Sequence, residues 1–291
     1  MSHPSLKDRS IIITGGGRGL GKAMAEGFID AGANLMLTGG HSAAELAATK
    51  AELDARGTGR CETMLADVTD AQACLAVAKA TQQAFGRIDV LINNAARAGN
   101  TVYPGKTYMD QPRFWEADPG IYTDLVLTNF VGPFMMTRAV VEIMLAQKFG
   151  RIINVSTSRP TMLFGPGGPY GPTKAGLEAS SRIWASQLEG TGVTMNVLLP
   201  GGAADTALIP GPGVGTRAAP WNPADGPFEE GRNTGLYPPA VMVAPALWLA
   251  SDESSASNGA RFVGCNWNPA LPAAQAAAHS RASEINTPQI I

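Results

Sequence analysis

The segment Ile11-Ile12-Ile13-Thr14-Gly15-Gly16-Gly17-Arg18-Gly19-Leu20-Gly21 constrains this chain more than any other, because a β-branched apolar run passes through a glycine-rich turn into an amphipathic stretch, Lys22 to Gly32. It reads as strand, turn and helix. Glycines in the turn let the backbone bend tightly and approach a pyrophosphate, while the helix N-terminus offers unpaired N–H groups and a positive dipole. The spacing T-G-x-x-x-G-x-G differs from the more familiar dinucleotide fingerprint, but it stands at a first strand-to-helix junction, where dinucleotide binding needs it.

The same alternation continues along the chain. Apolar runs at Asn34 to Thr38, Cys61 to Ala66, Asp89 to Asn93, Arg151 to Ser156, Thr194 to Leu199 and Arg261 to Gly264 follow the first strand, Ser10 to Thr14. Short strands separated by helical patterns predict a parallel sheet covered on both faces. Ser42 with Glu45, and Thr69 with Gln72, form the S/T-x-x-E/Q pattern that opens a helix. In the second helix Leu75, Ala78 and Phe85, in line with Gln82, are predicted to face the sheet. Asp118-Pro119 predicts the N-terminus of a long helix reaching about Lys148. Inside that helix Pro133 has no N–H, so the carbonyl of Asn129 loses its ordinary partner.

At 291 residues, 45% hydrophobic and 16% charged, the chain suits one large packed domain rather than a disordered one. Its net charge of -2 argues against a nucleic-acid or acidic-membrane partner. Three scattered cysteines predict a reducing compartment, the cytoplasm. The run Ile11 to Ile13 is too short for a signal segment or a membrane span. His3, His41 and His279 show no metal-ligand spacing, so no metal is expected. Two stretches break the compact rhythm, 97–118 and 207–239, and loops of that length are candidate substrate contacts. The domain is predicted over 1–264, with 265–291 as a C-terminal extension.

Tyr170 and Lys174 lie four apart and would share one helix face, with Pro172 tolerated in the first turn. A phenol titrates near ~10, and a neighbouring cation that favours the phenolate lets it exchange protons nearer neutrality. Alone, such a pair is ordinary helix surface. Combined with the glycine turn, Asn93-Asn94-Ala95-Ala96, Asn129 and Thr157, in this order, it resembles the short-chain dehydrogenase/reductase family across roughly residues 6 to 264.

That resemblance implies a Rossmann-like, doubly wound, seven-stranded parallel sheet and reversible hydride transfer between NAD(P) and a carbonyl or secondary alcohol. It implies Tyr170 as general acid/base and Lys174 as the group that holds the nicotinamide ribose and lowers the tyrosine pKa. Asn129 would hold a relay water through its main-chain carbonyl. The family's serine is replaced by Thr157, which keeps a hydroxyl, with Ser156 and Ser158 as neighbouring alternatives. Gly15, Gly17, Arg18, Gly19, Leu20 and Gly21 would wrap the phosphates, Asp67 and Val68 flank the adenine, and Asn94 and Ala95 border the ribose. Pro200, Gly201 and Thr206 would form the turn over the nicotinamide.

After the second strand stand Gly39, Gly40 and His41, with no acidic residue to repel a 2′-phosphate, and Arg18 lies within reach. NADP is therefore expected over NAD. Arg159, two residues beyond Thr157, and Arg97 are candidate anchors for an anionic substrate, with Arg217 and Arg232 in the second loop. Trp115 and Trp221 would instead suit an apolar ketone. By resemblance the chain forms a homo-oligomer, a tetramer, and Ala175, Gly176, Ala179, Ser180 and Ser181 would permit close helix approach. Two other readings are a non-catalytic dinucleotide sensor or scaffold, which would not need Tyr170 and Lys174, and an epimerase or dehydratase, whose extended relatives show T-G-x-x-G-x-x-G.

Overall fold

All five residues of β1 (Ser10–Thr14) are buried, as a strand covered on both faces requires. The computed structural model describes residues 5–98, 102–103, 111–163, 168–208 and 236–283. Six further strands follow: β2 (Asn34–Gly39), β3 (Cys61–Leu65), β4 (Val90–Asn93), β5 (Gly150–Val155), β6 (Val193–Leu199) and β7 (Arg261–Val263). All pair in parallel, in the order β3-β2-β1-β4-β5-β6-β7. Each lies within one residue of its predicted bounds. The order reverses between β1 and β4, and such a switch point opens a crevice at the carboxyl ends of the strands.

Alternation along β1 divides the core in two. Ile11 and Ile13 face Met24 and Phe28 of α1 (Gly19–Asp30) and Trp248 of α8 (Val243–Ala250). Ile12 belongs to the opposite layer, with Val77 of α3 (Ala71–Phe85) and Val140 of α5 (Gly132–Gln147). Burying each such side chain stabilises the fold by about 1.5–3 kcal/mol. A one-residue slip of β1 would exchange the two sets.

The helix starts show which local signals survive. Ser42 caps α2 (Ala43–Asp54), accepting from the Glu45 N–H at 3.1 Å, but the Glu45 carboxylate turns to Arg18 rather than back to the cap. The predicted start at Thr69 is corrected. Asp67 takes both the N–H and the hydroxyl of Thr69 at 2.9 Å, and Asp70 caps α3 one residue later. The predicted face of α3 holds at Ala78 and Phe85, which pack against the core, and is corrected at Leu75. Leu75 is half exposed, and Cys74, Val77, Ala78 and Thr81 are buried. Thr81 tolerates burial because its hydroxyl donates to Val77 O at 2.8 Å.

Asp118 and Pro119 open α4 (Pro119–Val126), which runs through a π-helical turn (Leu127–Val131) into α5. The π turn stands directly before Pro133, where the ordinary ladder has no donor. By length and composition alone this 29-residue run could cross a membrane. Here its Met136, Val140 and Met144 pack into the core.

After β5 come α6 (Arg159–Leu163) and α7 (Tyr170–Gln187). Beyond Gly264, α9 (Ala273–Ser280) buries Ala276 and Ala277, and Ser280 Oγ donates to Val263 O at 2.8 Å. Arg217, Trp221 and Arg232 lie outside the described residues.

Candidate active site

The carboxyl ends of the strands border a cavity of about 760 Å³ that runs from the glycine turn to Tyr170. Gly15 and Gly19 have φ of +66° and +56°, so the turn uses backbone that side chains disfavour. A Cβ on Gly15 would stand 3.0 Å from Ala95 Cα, and one on Gly21 only 2.2 Å from Gly15 O. The turn can close because both lack one. Gly21 thus lets α1 approach the turn rather than lining the cavity, whereas Gly15, Gly17, Arg18, Gly19 and Leu20 do line it.

Asn94 and Ala95 border the cavity, but their polar groups serve the turn. Asn94 Nδ2 donates to Thr14 O and Gly15 O, and the N–H groups of Asn94 and Ala95 donate to Thr14 Oγ1, each at 3.0 Å. At the start of α1, Arg18 stands as N-cap with no side-chain acceptor on the helix N–H groups. This glycine cradle, closed to a Cβ at Gly15 and Gly21 and facing an uncapped helix N-terminus, fits the pyrophosphate of a dinucleotide.

Gly39, His41, Asp67 and Val68 line the far end, together with Glu45, which the sequence showed only as part of a cap. The Arg18 guanidinium pairs with Glu45 at 3.0 Å, both groups being largely exposed. At the near end Pro200 and Thr206 line the wall. Gly201 does not: it sits behind the wall with φ of +109°, and a Cβ there would meet Cys265 Sγ at 2.2 Å.

Thr157, Tyr170 and Lys174 come together at this end. Lys174 is fully buried, donates to Val155 O at 2.8 Å and lies 5.9 Å from the centre of the Tyr170 ring. Burial pushes its ammonium down to about 8, opposed by the charge of Glu178 one turn further along α7. Ser156 also lines the cavity, and its buried Oγ has no hydrogen-bond partner among the described residues. Ser158 is occupied with Thr161, Oγ to Oγ1, at 3.0 Å.

Asn129 is buried behind the wall, and its side chain clamps the backbone of Arg97: Oδ1 accepts from the Arg97 N–H and Nδ2 donates to Arg97 O, both at 2.8 Å. Arg97 lines the cavity, but its guanidinium lies 3.3 Å from Asp124. Arg159 is exposed on α6 and is not part of the cavity wall. Arg159 thus begins α6 at the surface, while the next two residues of that helix, Pro160 and Thr161, line the cavity.

A phenol, a desolvated ammonium and a hydroxyl thus share one cavity with a phosphate cradle. The family model described as short chain dehydrogenase matches residues 9–210. A 3-oxoacyl-[acyl-carrier-protein] reductase of Synechocystis sp. is 35% identical over 65% of this chain and 72% of its own length. Fluoren-9-ol dehydrogenase of Terrabacter sp. is 29% identical over 89% of this chain and 71% of its own. Among solved structures, a 3-oxoacyl-[acyl-carrier protein] reductase of Brucella melitensis with bound NAD superposes with a TM-score of 0.71, 26% identity and 90% of both chains covered.

Proposed function

The chain belongs to the short-chain dehydrogenase family of NAD(P)-dependent oxidoreductases, and on that footing we propose that it interconverts a carbonyl compound and the corresponding secondary alcohol. The observation that carries this reading is the convergence of Tyr170, Lys174 and Thr157 on the cavity that begins at the glycine cradle. Held by the glycine cradle and Lys174, a nicotinamide coenzyme would supply the hydride donor or acceptor. Tyr170 gives its phenolic proton to the carbonyl oxygen during reduction and recovers one from the alcohol during oxidation. Lys174 stabilises the phenolate and binds the ribose hydroxyls. Thr157 donates its hydroxyl to the substrate oxygen, and Asn129 fixes the Arg97 backbone while its carbonyl holds a relay water.

We propose NADP over NAD. Gly39, Gly40 and His41 carry no carboxylate against a 2′-phosphate, and Arg18 stands beside them. Glu45 opposes this by holding Arg18, so Glu45→Gln should raise, and Arg18→Ala lower, the preference for NADPH. Gly39→Asp should shift preference to NADH, since a Cβ there meets nothing closer than Leu46 at 3.6 Å. The ratio of kcat/KM for the two coenzymes measures this. Native enzyme favouring NADH by about tenfold, roughly 1.4 kcal/mol, would reverse the assignment.

With Arg159 outside the wall and Arg97 beside Asp124, the substrate we propose is uncharged. Among the described residues the wall near Tyr170 is small and neutral, with Ala96, Ala98, Thr128, Pro160 and Ala203. Consumption of NADPH and NADH over matched ketones with and without an acidic group tests both reaction and polarity. Preference for the acidic member of each pair would overturn the polarity.

A homotetramer in a reducing, cytoplasmic setting completes the proposal. The outer face of α4, α5 and α7 exposes Tyr122, Phe134 and Ile183, with Trp184 6.0 Å from Phe134. Of the small residues on α7, Ala179 is exposed on that helix, whereas Ser181 is buried and bonded to Asn154. Cys61, Cys74 and Cys265 are free and buried. Light scattering that gave a 30.2 kDa monomer would remove the tetramer.

A further inference from the structure

Thr157 stands beyond the end of its strand. β5 closes its ladder with β6 at Val155 opposite Leu198, and the last strand-like bond is Ser156 N–H to Leu198 O at 2.9 Å. The carbonyl of Thr157 is held instead by a side chain 104 residues away, with Arg261 Nη2 donating to it at 3.0 Å. Arg261 opens β7, on the far side of β6, where it pairs with Val197.

The guanidinium is itself oriented. Its Nε donates to both carboxylate oxygens of Glu178, at 3.0 and 3.1 Å. Glu178 follows Lys174 by one turn of α7 and Tyr170 by two, so the three share one helix stripe. On the other side Lys174 Nζ holds the carbonyl of Val155. Two cations therefore grip alternate carbonyls at the end of β5, and both are tied to α7: Lys174 belongs to it, and Arg261 is bonded to its Glu178. The Arg261–Glu178 pair is about four-fifths buried, so water competes with it less than with a surface pair.

We propose that Arg261 and Glu178 are positioning residues that hold the Thr157 hydroxyl in register with Tyr170 and Lys174. A guanidinium suits the task because its fork donates in two directions at once. Lysine, whose three donors radiate from one nitrogen on a flexible stem, lacks that rigid planar fork. The inference rests on the proposed role of Thr157. It requires that the effect of Arg261 pass through Thr157, whereas an ion pair that merely braces β7 against α7 would act independently.

The test is a double-mutant cycle of Arg261→Met and Thr157→Val with Tyr170→Phe as reference, read as kcat and as KM for the coenzyme. Arg261→Met should lower kcat by about tenfold, within the range caused by sub-ångström misplacement, and leave the coenzyme KM within about twofold. In the Thr157→Val background the same substitution should cost less than about twofold. Arg261→Lys should recover only part of the loss. Glu178→Gln, which keeps the shape of the side chain, repeats the comparison if Arg261→Met does not fold. Amide hydrogen exchange over residues 154–160 gives a readout that needs no turnover: it should quicken in Arg261→Met, with exchange in β1 and α1 unchanged. Full kcat in Arg261→Met, equal losses in both backgrounds, or unchanged exchange at 154–160 would overturn the inference. Full activity of Tyr170→Phe and Thr157→Val would instead overturn the functional reading beneath it.

Discussion

Buried charge is used in opposite ways at the two ends of this sheet. At the amino end Asp89 is wholly buried and accepts from Arg9 Nη1 at 3.3 Å, from Arg87 Nε and Nη2 at 2.7 and 2.6 Å, and from the Ser10 N–H at 2.9 Å. Beside it the buried Arg151 donates to the carbonyls of Gly150, Gly192 and Ser251 and to Ser255 Oγ. Arg9 and Arg151 both stack on Phe149, 4.0 and 4.2 Å from its ring centre. At the carboxyl end the equally buried Lys174 donates, among the described residues, one hydrogen bond, to Val155 O, although an ammonium has three to give. Ser156 Oγ nearby has no partner among the described residues. At the amino end the buried charge is bonded by the protein's own backbone and side chains, whereas at the carboxyl end, among the described residues, donor capacity is left over beside the cavity.

The strongest way to break this contrast is Asp89→Ala. Arg9 keeps Asp252 and Arg87 is partly exposed, so the cost is the lost hydrogen bonds to a buried carboxylate, the Ser10 N–H included. Unfolding in urea should therefore show a loss of about 3 kcal/mol, with turnover per folded molecule unchanged. A loss of turnover without loss of stability would mean that the two ends are not separate. Tyr170→Phe should do the reverse. Turnover should fall at least ~10², about 2.7 kcal/mol, the scale of a lost general acid/base, with the denaturation midpoint almost unmoved.

Lys174 sharpens the contrast through pH. Its folded value of about 8 lies below the ordinary 10.5, so between these values the unfolded chain holds more protons than the folded one. Its contribution to stability therefore rises with pH across that window, and its cost is fully present below about 8. Activity that needs the ammonium moves the other way: kcat/KM for the coenzyme in the reductive direction, which reports the free enzyme, should decline above about pH 8. A flat profile through the next two pH units would remove the role of the cation. The smallest effect is expected from Thr157→Ser, which keeps the hydroxyl and should alter turnover by no more than roughly threefold.

Features encoded within a few residues were legible in the sequence. The β1-turn-α1 unit, the strand centres and the Tyr170–Lys174 stripe each follow from local spacing and sterics. What escaped depends on competition or on distance. Asp67 draws off Thr69, so the cap moves to Asp70. Thr81 enters the core because a back-bonded hydroxyl is no longer a polar cost. Glu45 carried a sound capping signal, yet its carboxylate is better matched by Arg18 across the cavity mouth. No local pattern could join Arg261 to Thr157, since only the order of β5, β6 and β7 brings them together. Proximity in sequence to Thr157 did not tell on which side of α6 Arg159 falls: it is exposed, whereas Pro160 and Thr161 after it line the cavity.

β7 is three residues long and stands last in the sheet, where an open strand edge would serve as a template for foreign strands. The chain closes that edge itself: Ala282 N–H donates to Arg261 O at 2.8 Å, and Arg281 forms an antiparallel bridge with Phe262. Residues that follow α9 thereby act as a gatekeeper, withdrawing from edge-to-edge aggregation the strand whose first side chain reaches back to the carbonyl of Thr157.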